Sequence, residues 1–591
     1  MYAARVSKPK LSLSISAVTQ GSGRPSLSLK SPGAMPRTPT SPSPLSPTAR
    51  NTMANQRGYQ TLQVPTYSYA NSSSSKGILK KSTDSSSGRD KRIQFQNSPT
   101  VYCVTPIENK DDVYGGYVKM SRDERRWGRR SAIAPALRRF RGAAVSIPAI
   151  SRRSLLTLAI ETSCDDTSVA IVEKHTPASD SPATIHFLEN VTADTRQYRG
   201  IHPIEALQSH QESLANLVAK AIKSLPPVPE GQASNDGGSI KDVDGGRSRR
   251  IPDFISATRG PGMRSNLSVG LDTGKGLAVA WQIPFVGVHH MQAHLLTPRL
   301  VSALTAGKDH NRQMNEPSKA HPDFPFLSIL VSGGHSLLVK SSSVTDHSLI
   351  ASSADIAIGE ALDKSARLIL PESLLQTAKN TMYGKMLEQF AFPGGPADYD
   401  DYRPAMTRGE EQIKRESPWG WSITTPLANT RQLQFSFSCV PSTVTRLFAN
   451  REKANQPTSD DERVALARES MRVCFEHLAS RTIIALEALR DQAKNSEQIK
   501  TLVVSGGVAA NRYLMTILRS FLDVRGFGHV ELVAPPPYLC TDNAAMIGWA
   551  GIEMFEVGWR TELSCRALRK WSLDPTSEDG GVLGPSGWTP I

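Results

Sequence analysis

From residue 155 onward the chain runs through one order of strand-like and helix-like segments twice, and this recurrence limits the folds open to it more than any other feature. Segments 155–160 and 169–173 read as a hairpin-like strand pair, and 254–257 as a further strand. Between them, 203–222 reads as an amphipathic helix with Ile204, Leu207, Leu214, Leu217, Val218 and Ile222 on one face. The turn Arg259-Gly260-Pro261-Gly262 leads into a helix ending at Trp281. The order begins again at 326–331 and 337–340, followed by 502–504, a helix from Ala509 and a strand at 530–534. Two successive halves of this kind predict an internally duplicated α/β fold with a cleft between two lobes. The polar segments 226–250, 307–323, 399–417 and 451–461 read as surface insertions too polar to join a core.

The first 153 residues do not share this pattern. No Asp or Glu occurs before Asp84, while eleven Lys and Arg are spread among Ser, Pro and Thr, a composition that predicts disorder. Residues 1–153 hold 26 Lys and Arg against 7 Asp and Glu, a balance of +19; with +14 for the whole chain, residues 154–591 carry −5. The basic character therefore belongs to the leader, and any nucleic-acid site in the remainder must be a local patch. The Arg-rich, acid-poor stretch 125–153 reads as a mitochondrial presequence, with a start at Met120 or a retained regulatory tail as alternative readings of what precedes it. The expected division is thus a leader at 1–153, a first lobe at 154–300 and a second lobe at 325–575, whose C-terminal part is a candidate to pack back on the first. No stretch reaches about 18 uninterrupted apolar residues, which predicts no membrane insertion. Six cysteines without a CxxC pair argue against a disulfide scaffold or a zinc ribbon.

After the apolar segment 285–288 comes His290-Met291-Gln292-Ala293-His294. On a helix, side chains four apart stand one turn above each other, so both imidazoles can reach one ion; the acidic Asp542 in Thr541-Asp542-Asn543 is the candidate third ligand. Histidines at this spacing also arise as ordinary core or surface residues. Val331-Ser332-Gly333-Gly334-His335 and Val504-Ser505-Gly506-Gly507-Val508 each place two glycines directly after an apolar strand, where backbone amides can point at phosphate oxygens. Glu161-Thr162-Ser163-Cys164-Asp165-Asp166-Thr167 puts carboxylates and hydroxyls at a strand-to-strand bend.

The motifs IETSCDDTSVAIV, HPIEALQSHQ, ATRGPG, GLDTGKGLA, HHMQAH, LVSGGHSLL, GEALDKSARL, FPGGP, SGGVAANRYL and CTDNAAMIGWAG, in this order, resemble the TsaD family of tRNA N6-adenosine threonylcarbamoyltransferases, and the leader makes the chain resemble the mitochondrial branch. The resemblance implies the duplicated actin/sugar-kinase/Hsp70-like (ASKHA) fold. It implies transfer of a threonylcarbamoyl group from its AMP anhydride to N6 of the adenosine 3′ of the anticodon in tRNAs reading ANN codons, with release of AMP. Carried over by motif, His290, His294 and Asp542 become ligands of one divalent metal ion per subunit, iron or zinc. Leu330, Val331, Ser332, Gly333 and Gly334 become the loop on the phosphate and acyl part of the donor, with Asp363 at the ribose and Gly395 and Asn511 beside the nucleotide. Asp363 also reads as a solvated helix carboxylate, Gly395 as a plain turn and Asn511 as a helix cap. No general base is assigned; Asp165 and Asp166 are candidates, and they equally read as residues that orient the bend. Gln292 stands where the family usually has Glu, and a ribose contact after Gly395 cannot be placed among Asp398, Tyr399 and Asp400.

The resemblance further implies a tRNA partner, a separate synthase supplying threonylcarbamoyl-AMP, a homodimer and a mitochondrial matrix location. Arg264, Arg367 and Arg431 are candidate tRNA contacts. The alternative reading is an ATPase or small-molecule kinase of the same fold, although such enzymes hold Mg²⁺ mainly through phosphates and carboxylates. A metalloprotease is disfavoured because Met291 stands where the HExxH arrangement needs glutamate.

Overall fold

The computed structural model describes residues 154–176, 182–198, 200–228, 239–241, 248–306, 320–378, 383–492 and 498–591. The leader 1–153, and with it the targeting segment, lies outside the described residues.

Two five-stranded mixed sheets form the frame. The first contains β1 (Leu155–Glu161), β2 (Asp166–Lys174), β3 (Ala183–Thr192), β6 (Phe254–Gly260) and β7 (Phe285–His289) in the order β3-β2-β1-β6-β7; β4 (Ser239–Lys241) and β5 (Ser248–Arg250) make a separate short pair. The second contains β8 (Phe326–Val331), β9 (Ser336–Ser341), β10 (His347–Ser352), β11 (Thr501–Ser505) and β12 (Glu531–Val533) in the order β10-β9-β8-β11-β12. In both sheets the first three strands pair antiparallel and the last two add parallel, so the topology is duplicated strand for strand. This is the ASKHA arrangement. Strands β1, β6, β7, β8 and β11 are buried along their whole length, as unbroken runs such as Leu-Leu-Thr-Leu-Ala-Ile require for strands covered on both faces.

Helices cover both faces of each sheet. On the outer face of the first lie α1 (Pro203–Lys223) and α2 (Arg264–Trp281), whose Leu214, Leu217, Leu267 and Leu271 meet Leu156, Leu158 and Ile255. On the outer face of the second lie α4 (Ile358–Ile369), the short α5 (Glu372–Leu375), α6 (Gly384–Ala391), α7 (Cys439–Lys453), the 33-residue α8 (Asp460–Gln492) and α9 (Arg512–Val524). Between the sheets sit α3 (His290–Thr305) and α11 (Ala544–Glu556), preceded by the short α10 (Pro537–Cys540). Residues of α3 and α11 share one core with Leu155 and Val286 of the first sheet and Leu330 and Val503 of the second. Helix α11 lies close on the first sheet because Gly551 leaves room: a Cβ there would stand 2.2 Å from Ser256 Oγ. Arg299 of α3 pairs with Glu553 of α11 at 2.8 Å, and Trp549 donates to the same carboxylate, so this buried charge has two partners.

Two expectations fail in detail. Ile204, in the first turn of α1, is 61% exposed rather than on the buried face. Segment 399–417 is not wholly superficial: Tyr399 and Ala405 join the second core, and Glu411 is buried against Arg408, Ser480 and Arg525, so pairing buries a charge that composition alone would leave in solvent. Beyond β14 (Trp588–Pro590), which pairs with β13 (Trp559–Thr561), the chain ends at Ile591. Among the described residues no helix is long and apolar enough to cross a membrane.

Candidate metal centre and donor cleft

Strand β7 runs directly into α3, and the residue at the junction determines where the helix starts. His289 caps α3, its Nδ1 accepting from the backbone N–H of Met291 at 3.1 Å and of Gln292 at 3.4 Å, while Nε2 donates to the Trp571 carbonyl at 3.2 Å. Burial pushes this imidazole well below its usual range, so it stays neutral, as a ring that accepts on one side and donates on the other must. One residue on, His290 and His294 stack along one face of α3, their ring centroids 4.8 Å apart and perpendicular. Asp542 reaches them from the loop before α11, whose cap Asn543 accepts from the Met546 N–H at 3.0 Å and so holds the neighbouring carboxylate in place. Asp542 Oδ1 lies 3.1 Å from His294 Nε2 and 3.6 Å from His290 Nε2, and one donor atom from each residue lies within 4.8 Å of the others.

This set has the chemistry of a divalent-cation site: two imidazole Nε2 atoms and a carboxylate oxygen converge, and a second carboxylate supports one ring from behind. That support is Glu161, fully buried at the end of β1. Its Oε2 lies 3.3 Å from His290 Nδ1, its Oε1 accepts from the Ser163 N–H at 2.5 Å, and Thr258 Oγ1 donates to it. Burial opposes charge on His290, but Asp542 and Glu161 outweigh it and raise its pKa to about 9. Burial likewise opposes ionisation of Asp542, yet His290 and His294 drive its pKa far below the carboxylate range. The buried Nδ1 of His294 has no partner among the described residues.

The acidic bend between β1 and β2 adjoins this cluster. Asp166 accepts from Thr192 Oγ1, and burial followed by the charge of Asp542 raises its pKa to about 7; burial also raises Asp165. Asn190 of β3 donates to the Asp542 carbonyl at 3.2 Å, tying the same sheet edge to the ligand loop.

The two Ser-Gly-Gly turns lie side by side, because β8 and β11 are parallel neighbours whose C-terminal ends point the same way. In the first, Ser332 Oγ accepts from the N–H groups of Gly334 and His335 at 3.3 and 3.1 Å, and Gly333 and Gly334 face open space. Leu330 and Val331 have buried side chains, so their backbone is what they can offer a ligand. In the second, Gly506 has φ +91°, and a Cβ there would stand 2.4 Å from the Val331 carbonyl oxygen. Two glycine turns at the carboxyl end of a parallel strand pair make a place where a phosphate or acyl oxygen can meet backbone amides.

A sequence profile of the tRNA N6-adenosine threonylcarbamoyltransferases (TsaD) matches residues 246–549. The mitochondrial tRNA N6-adenosine threonylcarbamoyltransferase of Schizosaccharomyces pombe is 34% identical over 464 residues, covering 76% of this chain and 93% of that protein. The chain belongs to this family. A second threonylcarbamoyltransferase, from Brucella anthropi, is 32% identical, covering 71% of this chain and 96% of its own length. Among solved structures, component A of the (R)-2-hydroxyglutaryl-CoA dehydratase of Acidaminococcus fermentans aligns at 12% identity and a TM-score of 0.31, covering 68% of this chain and 97% of that one.

The remaining motif positions of this threonylcarbamoyltransferase occupy different local settings. Asp363 Oδ1 accepts from the Gly384 N–H at 2.9 Å, and burial lifts its pKa to about 6 against that hydrogen bond. Gly395 has φ +69° and faces open space. Asn511 caps α9, its Oδ1 accepting from the Leu514 N–H at 3.0 Å. Of the three candidate arginines, Arg264 is exposed at the start of α2, Arg431 pairs with Glu487 at 2.6 Å, and Arg367 donates to the Asp363 carbonyl at 3.3 Å. Asp398 accepts from the Gly394 N–H at 2.8 Å, and Tyr399 donates to Glu388 at 3.0 Å. Reasoning from sequence passed over Glu161 and His335. The first stood in the quoted bend motif and could have been singled out as a carboxylate at the end of a strand that is apolar but for Thr157. The second ends the open Ser-Gly-Gly turn; desolvation and the neighbouring His290 push its pKa down to about 4.

Proposed function

We propose that the chain transfers the threonylcarbamoyl group of threonylcarbamoyl-AMP to N6 of the adenosine 3′ of the anticodon in mitochondrial tRNAs reading ANN codons, releasing AMP. The observation that carries this reading is the convergence of His290, His294 and Asp542 beside paired Ser-Gly-Gly turns in a chain of the threonylcarbamoyltransferase family. His290, His294 and Asp542 would hold one divalent ion, iron or zinc, which when bound supplies positive charge to donor oxygens. Glu161 keeps Nε2 of His290 facing the site by accepting at Nδ1.

The donor is a reactive mixed anhydride, so positioning and charge stabilisation are the enzyme's main tasks. The adenine N6 attacks the carbonyl carbon, the bond from that carbon to the phosphate oxygen breaks, AMP leaves as an anion, and N6 releases one proton. The amide of Gly333, in the turn that Ser332 Oγ braces by accepting from the Gly334 and His335 N–H groups, would face the carbonyl and phosphate oxygens through this step; losing one such donor typically costs on the order of 100-fold in rate. Asp363, Gly395 and Asn511 are assigned to the adenylate part. Asp165 and Asp166, beside the cluster, are the carboxylates available to orient the incoming amine. A separate synthase supplies the donor. The mitochondrial designation of the Schizosaccharomyces pombe relative and the Arg-rich stretch at 125–153 support action in the mitochondrial matrix, and we assign the active form as a homodimer.

Reconstitution tests the reading. Purified chain, an unmodified mitochondrial tRNA transcript and threonylcarbamoyl-AMP are combined with iron or zinc, and nucleosides are analysed by mass spectrometry. The modified adenosine is expected with ANN-reading tRNAs and absent with others. An unmodified product with either metal would remove the assignment.

A further inference from the structure

Asp363, Gly395 and Asn511, the positions assigned to the adenylate part of the donor, stand far apart in the chain, and one short helix is bonded to the surroundings of all three. Helix α6 begins at Gly384, whose N–H donates to Asp363 Oδ1 at 2.9 Å. It ends at Ala391, and the carbonyl of Phe392, its C-cap, accepts from the Gly395 N–H at 3.0 Å. The remaining link is Glu388, in the middle of α6. Its Oε1 accepts from the Tyr399 hydroxyl at 3.0 Å, from the Arg512 N–H at 2.8 Å and from the Tyr513 N–H at 3.3 Å. Tyr399 closes the 3₁₀ turn that Gly395 opens, and Arg512 directly follows Asn511 at the start of α9. A single carboxylate oxygen therefore takes donors from the turn of Gly395 and from the helix that Asn511 caps.

We infer that Glu388 is a positioning residue for the donor, fixing the spacing at which Gly395 and Asn511 meet the same adenylate as Asp363; this deepens the proposed function and rests on it. The first N–H groups of a helix have no partner within it. In α9 Asn511 accepts from that of Leu514, and Glu388 accepts from the two before it, where a negative charge is also favoured by the helix dipole. Beneath the carboxylate, the rings of Phe392, Tyr399 and Tyr513 pack on one another with centroids 4.6, 4.9 and 5.3 Å apart. Apolar packing brings the three segments together but is non-directional, whereas three hydrogen bonds to one oxygen restrict sliding and rotation. Leu387 and Ala391, buried in the second core, hold α6 itself in place. Because the chain's own donors fill this oxygen, Glu388 acts through Gly395 and Asn511 rather than on the donor.

The test uses the full chain with iron or zinc and two readouts: calorimetric binding of AMP, and steady-state transfer with threonylcarbamoyl-AMP and an ANN-reading tRNA transcript varied separately. Misplacing a contact by about 1 Å can cost on the order of 100-fold, and Asp363 is untouched by the substitution, so E388A is expected to raise the AMP Kd and the donor KM about tenfold. The KM for tRNA and kcat are expected to change less than about threefold. E388Q keeps an acceptor oxygen at the same reach and is expected to stay within about threefold of wild type in every parameter. An E388A chain with unchanged AMP Kd and donor KM, a fall in kcat alone, or an E388Q chain as impaired as E388A overturns the inference, the last by assigning the effect to lost charge. Should E388A fail to fold, E388D, one methylene shorter, is expected to raise the AMP Kd about threefold, and an unchanged Kd there has the same force. A wild-type chain that neither binds AMP nor modifies tRNA counts against the proposed function itself, whereas an active wild type matched by E388A in donor KM sinks only the role of Glu388.

Discussion

Nδ1 of His290 lies 3.3 Å from the buried carboxylate of Glu161 while Nε2 of the same ring faces Asp542 at 3.6 Å, so one imidazole links two carboxylates from opposite sides. Such a supporting carboxylate orients the ring and raises its basicity. Glu161→Gln is expected to weaken metal affinity about 10- to 100-fold, measured by chelator competition, with His290 and His294 still in place. Unchanged affinity would make Glu161 a purely structural residue.

Removing the ion should have a signature that depends on the ligand set. Dialysis against a chelator is expected to lower the melting temperature of the wild-type chain and stop transfer, and metal added back to restore both. A ligand at 100 times its dissociation constant stabilises by about 2.7 kcal/mol. The His294→Ala chain should show no such response, and a chelator effect that persists in it would place the ion elsewhere.

At Asp363 the two roles can be separated. Asparagine keeps an oxygen for the Gly384 N–H but discards the charge. Asp363→Asn is expected to raise the KM for threonylcarbamoyl-AMP about tenfold while the melting temperature stays close to wild type. A lower melting temperature with an unchanged KM would show that the residue serves only to hold α6.

Gly506→Ala places a methyl group 2.4 Å from the Val331 carbonyl oxygen in a left-handed backbone conformation. A loss of about 2–4 kcal/mol is expected in urea unfolding, together with reduced transfer, because both Ser-Gly-Gly turns must shift. A variant as stable as wild type would contradict the close approach of the turns.

Acid stability should register Glu173. Burial pushes its carboxyl up, but hydrogen bonds from His186 and Ser154 and the Arg250 charge at 2.7 Å outweigh that and bring it to about 2. A carboxylate with a folded pKa below its unfolded value contributes above the unfolded value, near 4.5, and the contribution is lost as pH falls from there through about 2. Discounted for partial exposure, it amounts to about 1–2 kcal/mol. Urea midpoints at pH 6, 4 and 3 should therefore fall less steeply for Glu173→Gln than for wild type; parallel curves would count against the assignment.

The duplicated order of segments was legible because buried parallel strands read as continuous apolar runs, and the helix spacing of His290 and His294 put them on one face before any fold was known. The same reading could offer Asp542 as a candidate third ligand but not its position in space, since nothing local to Thr541-Asp542-Asn543 encodes which helix it meets; the motif resemblance is what tied it to the two histidines. The cap at Asn511 and the Gly384 contact of Asp363 were visible as alternatives but not decidable, because a capping oxygen and a ligand contact use the same atom types. The polar stretch 399–417 was misread for a different reason. Composition weighs each charge by itself, whereas Glu411 becomes compatible with burial only through Arg408 and Arg525, the latter more than a hundred residues away.

The layer between the sheets is built from one helix of each half of the chain, and His294 precedes Asp542 by 248 residues. During synthesis the histidines thus leave the ribosome long before their carboxylate partner. The cation cradle closes only after α11 has emerged and docked. A product cut short before that helix would carry the Ser-Gly-Gly turns without the carboxylate of the proposed metal site, so an ion held by all three ligands would report that translation had reached the final stretch of the polypeptide.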